Sequence, residues 1–144
     1  MLFGGKKKRR IERLLVVEDE PLVAFDTEHF LNSEGFAIVA TVDTVAEALQ
    51  VLADGAEIDL LVADVNLSDG SGLEVARVAQ AQGIPVLFVT GSFPAEAQAL
   101  ATGCLAKPYP QRDLLAAINA IEAVVDGAKV PKRLPGSFTL FSAA

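Results

Sequence analysis

Cysteine and histidine each occur once in the 144 residues, as Cys104 and His29. A lone cysteine excludes an internal disulfide. A lone histidine excludes His/Cys metal clusters, and any Ser-His or Cys-His nucleophile pair that does not use His29. Metal chemistry, if there is any, must use hard oxygen ligands. Long apolar runs are missing too: no segment approaches the ~20 apolar residues of a membrane span, and the N-terminus lacks the apolar stretch of a signal peptide. A cytoplasmic location is the expectation. Positive charge is scarce, with 12 Lys and Arg against 19 Asp and Glu and a net charge of −7. Five of those cations form the run Lys6-Lys7-Lys8-Arg9-Arg10. The remaining chain is therefore more acidic than the total, which disfavours nucleic-acid binding by the body. The basic run, with Leu2-Phe3 ahead of it, reads as a solvated leader over residues 1–12, contact with RNA or an anionic membrane being the alternative.

What is present is an ordinary globular composition, 51% hydrophobic and 22% charged, of a length that suits one domain. Strand-like and helix-like patterns alternate, as they do in a parallel α/β sheet. Leu14–Val17 is the first strand; Pro21 opens a helix that Gly35 stops. Phe36–Val42 is the second strand. Thr44-Val45-Ala46-Glu47 has capping-box spacing, and Val45, Leu49 and Leu52 share one face of the helix that follows. The third strand is Ile58–Asp64. A loop rich in Ser, Asp and Gly leads to a helix over about 73–81, where Gly70 and Gly72 read as turn residues. Ile84–Val89 is the fourth strand, a short helix covers about 94–100, and Cys104–Ala106 is the fifth. Pro110 opens a last helix whose Leu114, Ile118, Ile121 and Val125 form a stripe. The apolar end Phe138-Thr139-Leu140-Phe141 either frays, packs back on the body, or adds a strand to a neighbour.

Five features fall at the ends of these buried runs: Glu18-Asp19, Asp64, Asn66, Thr90 and Lys107-Pro108. In an open α/β sheet, ligands bind beyond the carboxyl ends of the strands, so the five converge. Asp19 and Asp64 offer direct oxygen ligation to a cation such as Mg²⁺, which takes one or two protein carboxylates and keeps several waters. A carboxylate that attacks phosphorus needs its charge and the phosphate's offset, and Lys107 supplies part of that. His29, within the first helix, reads as a surface residue.

Leu15-Val16-Val17-Glu18-Asp19-Glu20-Pro21, Asp64 within Leu60–Gly72, Phe88-Val89-Thr90-Gly91 and Lys107-Pro108 together resemble the receiver domain of two-component response regulators over about residues 13–125. The resemblance implies a flavodoxin-like fold: a doubly wound, five-stranded parallel sheet in the order 2-1-3-4-5. It implies Asp64 as phosphoacceptor, Thr90 as switch hydroxyl and Lys107 as the conserved-type lysine before a cis proline. It also implies Mg²⁺ held by Glu18 (through water), Asp19, Asp64 and the main-chain carbonyl of Asn66. The expected layout is a leader over 1–12, a receiver over 13–126 and a tail over 127–144.

The resulting expectation is a stand-alone bacterial receiver that takes a phosphoryl group from a histidine kinase or phosphotransfer protein. It would act as a relay switch or phosphate sink, with no DNA-binding domain, and with a downstream protein partner and a homodimer left open. It would catalyse only its own phosphorylation and dephosphorylation. A phosphorylation-independent scaffold and a Mg²⁺-dependent nuclease or primase-type domain are the alternatives. Several positions depart from the family pattern. Glu18 stands where Asp is commoner, and Cys104 where Tyr or Phe is usual. Phe88-Val89-Thr90-Gly91 resembles the Phe-Ala-Thr-Gly motif of a single-domain subgroup. With Cys104 too small to serve as a switch ring, Phe93 becomes the candidate mobile aromatic.

Overall fold

The computed structural model describes residues 9–141. Leu2-Phe3 and Lys6–Lys8 of the basic leader lie outside the described residues. In chain order the first half comprises β1 (Arg13–Val17), α1 (Pro21–Ser33), β2 (Ala37–Val42), α2 (Val45–Ala53) and β3 (Leu60–Ala63). A small hairpin of β4 (Asn66–Leu67) and β5 (Gly70–Ser71) then leads into α3 (Gly72–Ala81). The second half comprises β6 (Val86–Thr90), α4 (Ala97–Leu100), β7 (Gly103–Ala106), α5 (Gln111–Val125) and β8 (Phe138–Leu140).

Successive strand residues point to opposite faces of the sheet, and here both faces are covered. Leu15, Val17, Leu61, Ala63, Val86, Phe88 and Cys104 pack with Val45, Ala48 and Leu52 of α2 and Val75, Ala76 and Ala79 of α3. Their neighbours Leu14, Val16, Leu60, Val62, Leu87, Val89 and Leu105 face the other way, onto Leu31 of α1 and Leu114, Ala117, Ile118 and Ile121 of α5. That two-sided burial is why the strands read as unbroken apolar runs. Parallel pairing gives the order β2-β1-β3-β6-β7, which is the expected 2-1-3-4-5 arrangement of a doubly wound sheet.

Two expectations need correction. The sheet has six strands, because β8 pairs antiparallel with β7, Cys104 opposite Thr139 and Leu105 opposite Phe138. Residues 138–140 therefore neither fray nor leave the chain; they close its own sheet. The physical reason is a fitted contact: Phe138 is 6% exposed, and burying such a ring contributes about 2–3 kcal/mol. It lies over Gly103, where an added Cβ would come within 2.6 Å of the Phe138 Cε1 atom. The leader is also anchored at its end. Arg9 pairs with Glu122 at 3.0 Å and lies over the Phe36 ring, and Arg10 pairs with Asp126 at 2.9 Å.

The helix after Thr90 is shorter than its pattern, at four residues, because a turn from Pro94 to Ala97 occupies the chain before it. Gly72 serves space more than turn conformation. Its Cβ, were there one, would collide with the main-chain carbonyl of Asp64, so α3 starts directly against the strand end that carries Asp64.

Asp69 ties the same loop to α2, accepting from the Val45 N–H at 2.7 Å and the Ala46 N–H at 3.1 Å, while Thr44 caps the helix through Glu47 N–H. A carboxylate at a helix N-terminus is favoured by the exposed N–H groups and the helix dipole. The Val45 N–H above all, and then that of Ala46, holds the Asp69 carboxyl below its ordinary pKa of 3.8. A depressed folded-state pKa contributes stability that is complete above 3.8 and disappears as pH falls through the folded value. Asp69→Asn is therefore expected to lower the melting temperature by a few degrees at neutral pH. Its deficit relative to the parent should shrink in thermal melts below about pH 4; a deficit undiminished at pH 2 would contradict the capping role.

Candidate functional site

Sheet register assembles the site. Val17 lies opposite Ala63 across β1 and β3, so Glu18 and Asp64 emerge side by side at the carboxyl end of the sheet. Thr90 is level with Ala106 across β6 and β7, which sets Lys107 one residue beyond. The Lys107 N–H donates to the Thr90 carbonyl at 2.9 Å, and the Lys107–Pro108 peptide is cis.

The side chains then close on one another. Lys107 Nζ donates to Glu18 Oε1 and to Asp64 Oδ2, each at 2.8 Å. The second oxygen of each acid is held by the backbone: Asp64 Oδ1 accepts from the Asn66 N–H at 3.1 Å, and Glu18 Oε2 from the Glu20 N–H at 3.1 Å. Glu18 and Asp64 are buried and Asp19 is half-buried. Burial alone would lower the Lys107 pKa, but the hydrogen bonds it donates to Asp64 and Glu18, and then their charges, reverse this and raise it. The ammonium is thus charged throughout the physiological range.

Glu18, Asp19 and Asp64 each offer an oxygen, and the three oxygens lie within 4.8 Å of one another. Three hard anionic donors at that spacing suit Mg²⁺ or a similar cation. Asn66, in β4, is exposed and paired with Ser71. Thr90 is 1% exposed and its hydroxyl donates to the Ser92 carbonyl at 2.8 Å. The structure therefore brings Glu18, Asp19, Asp64 and Lys107 into one cluster, with the Asn66 N–H joined to it and Thr90 at the adjoining strand end.

Three other residues were singled out in the sequence. Cys104 is 1% exposed within the core of the α2–α3 face, and burial pushes its thiol up to about 11. His29 is exposed and stacks on Phe25, with ring centroids 6.1 Å apart. Phe93 is exposed and meets Phe141 edge-on at 5.4 Å.

Two features of the site escaped sequence reasoning. Tyr109 lines a small cavity beneath the cluster together with Glu18, Thr27 and Asp64. Burial, chiefly, raises its pKa, against the opposing influence of the Thr27 hydroxyl and Lys107. Its only signal was an aromatic directly after Lys-Pro. On α1, just past Glu18-Asp19, Leu22 and Phe25 are 79% and 67% exposed. They form an apolar surface on the side of α1 away from its buried Thr27 and Leu31.

Comparison with known proteins gives one family. The family model described as the response regulator receiver domain matches residues 14–119. The phyllosphere-induced regulator PhyR of Methylorubrum extorquens is 30% identical over 115 residues, covering 74% of this chain and 42% of that protein. The transcriptional regulatory protein LytR of Staphylococcus aureus is 30% identical over 117 residues, covering 77% of this chain and 47% of its own length. The chain thus spans about half the length of the curated relatives it matches. Among solved structures, a response regulator receiver protein from Sinorhizobium medicae superposes with a TM-score of 0.69 at 27% identity, covering 78% of this chain and 94% of that one. A CheY-like receiver domain protein from Methanospirillum hungatei gives 0.73 at 24% identity, over 81% and 98%.

The burial of Cys104 generates a direct expectation. A thiol with its pKa raised from 9.0 to about 11 holds about a hundredfold less thiolate at pH 8, and thiolate is the reactive form. Native protein should resist alkylation by iodoacetamide, followed by mass spectrometry, and react fully once unfolded in denaturant. Rapid modification of the native protein would show that β7 is not packed as described.

Proposed function

The chain belongs to the response regulator receiver domain family, and from that premise we propose that Asp64 accepts a phosphoryl group from a histidine kinase or phosphotransfer protein, with Mg²⁺ at the acidic cluster. The observation that carries this assignment is the Lys107 ammonium bonded at 2.8 Å to both Glu18 and Asp64. A lysine so placed counters the charge of a carboxylate nucleophile and then that of the group it receives. When bound, Mg²⁺ supplies the remaining positive charge, with Glu18, Asp19, Asp64 and the Asn66 carbonyl as its proposed protein partners.

The residues divide the work. Asp64 is held in one orientation because Lys107 and the Asn66 N–H grip its two oxygens, which lowers the entropy cost of in-line attack. A carboxylate oxygen forms a bond to phosphorus while the phosphorus–nitrogen bond of the donor histidine breaks, leaving an acyl phosphate on Asp64. Lys107 can transfer a hydrogen bond from the carboxylate to a phosphoryl oxygen. The Thr90 hydroxyl, at the adjoining strand end, can donate to another. Hydrolysis by water reverses the state. Residues 13–126 are the proposed receiver unit, acting as a relay switch or phosphate sink inside the cell.

Asp64→Asn keeps the shape and removes the nucleophile, so labelling by a small-molecule phosphodonor with Mg²⁺ should be lost while the circular dichroism spectrum is kept. Persistent labelling of that variant would overturn the assignment.

The donor protein must reach Asp64 past α1, and Leu22 and Phe25 provide apolar surface there for its helix to cover. Leu22→Ala with Phe25→Ala is expected to slow transfer from a phosphohistidine protein by about tenfold or more, since a buried interface aromatic commonly contributes over 1 kcal/mol. Labelling by the small-molecule donor should be unchanged. Equal slowing with both donors would place the effect at Asp64 and not at docking.

A further inference from the structure

We propose that Ser137–Phe141 is a displaceable cover on the edge of β7, and that loading Asp64 with a phosphoryl group loosens it through Thr90, Ser92 and Phe93. The coupling rests on Asp64 being the phosphoacceptor.

The first link is a competition for one proton. The Thr90 hydroxyl donates to the Ser92 carbonyl at 2.8 Å, and a hydroxyl has a single hydrogen to give. A phosphoryl oxygen that takes it releases Ser92, and with it the short loop between β6 and the Pro94 turn. Phe93 stands in that loop. Its ring meets Phe141 edge-on, with centroids 5.4 Å apart and planes at 61°, an arrangement favoured between aromatic rings. A loop drawn toward Asp64 carries Phe93 away from that contact.

The second link is that the cover is lightly held. Phe138 is its only buried side chain, and 127–133 are exposed except for the half-buried Val130. Around the three-residue pairing, the ties are Ala106 N–H to Ser137 O at 2.8 Å, Phe141 N–H to Thr102 O at 2.9 Å, and the Ser137 hydroxyl to Asp113 at 2.8 Å. Phe138 docks because Gly103 has no Cβ to obstruct it. Gly103 is outside the left-handed region, so alanine suits its backbone, and the nearest atoms its Cβ would meet belong to the docked Phe138 ring and the Thr139 carbonyl. An edge strand held this way is the element of a sheet most easily released.

The test uses the full chain with Mg²⁺ and beryllofluoride, following chemical shifts at Asp64 and Thr90 and hydrogen exchange at the Ala106 and Phe141 amides. Beryllofluoride should speed exchange at both amides by about fivefold or more, the lower range of ordinary coupling between sites. Phe93→Ala, an exposed substitution that leaves the core alone, should keep the shifts and abolish the change in exchange. Gly103→Ala should exchange fast without beryllofluoride and bind it more tightly by the same factor, because coupling is reciprocal. Shifts at Asp64 with unchanged exchange in the parent protein would overturn the coupling and leave the phosphoacceptor assignment standing. No shift at Asp64 would overturn both.

Discussion

Three carboxylate oxygens within 4.8 Å repel one another by about 3 kcal/mol per pair at an effective dielectric near 20, and by less where Asp19 meets solvent. The chain tolerates this because Lys107 is set between two of the acids. Its position depends in turn on register. Glu18, Asp64 and Lys107 each begin where a buried strand ends, and the strands are aligned by Val17 opposite Ala63 and Thr90 opposite Ala106. A slip of one residue in any pair would turn an acid or the ammonium to the wrong face. The hydrophobic pattern that fixes register therefore also fixes the electrostatics.

Gly72 and Asp69 extend that dependence beyond the strands. The close approach of Gly72 to the Asp64 carbonyl lets α3 begin against the strand end, and Asp69 joins the intervening loop to α2. The strand end that carries Asp64 thus leads into a loop tied to both α2 and α3, and the Asp64 carboxylate is held by Lys107 and the Asn66 N–H. In the proposed role of nucleophile, a carboxylate restricted in this way would need little reorganisation. The apolar Leu22 and Phe25 lie on a solvent-exposed face of the neighbouring helix α1.

Much of this was legible in the sequence because its signals are local. Apolar runs of four or five residues marked the parallel strands, Thr44 and Glu47 marked the start of α2, and each site residue followed a run. Their convergence followed from the rule that such sheets present their strand ends together. What was not legible depends on contacts between distant residues. Phe138-Thr139-Leu140 is too short to declare itself a strand, and its place is decided by the space above Gly103, 35 positions earlier in the chain. Arg9 and Arg10 looked like part of a free basic leader until Glu122 and Asp126 were brought beneath them by α5. Glycine at 72 suggested a turn, whereas the need was for room beside Asp64.

The distribution of burial also separates what can move from what cannot. β1, β3 and β6 are packed on both faces and paired on both edges, and close-packed interiors have few intermediate arrangements. A charge added at Asp64 cannot be accommodated by shifting those strands. It can be accommodated in the loop after β6, where Thr90 and Ser92 share one hydrogen bond. β7 connects this loop to the outside of the fold: Lys107 follows its end, the hydrogen bond from the Lys107 N–H to the Thr90 carbonyl ties it to β6, and its far edge carries β8. Since β8 is paired on one side only and has Phe138 as its one buried ring, with Leu140 and the following Phe141 only partly buried, it is an edge strand on which the proposed change of a single hydrogen bond would be felt.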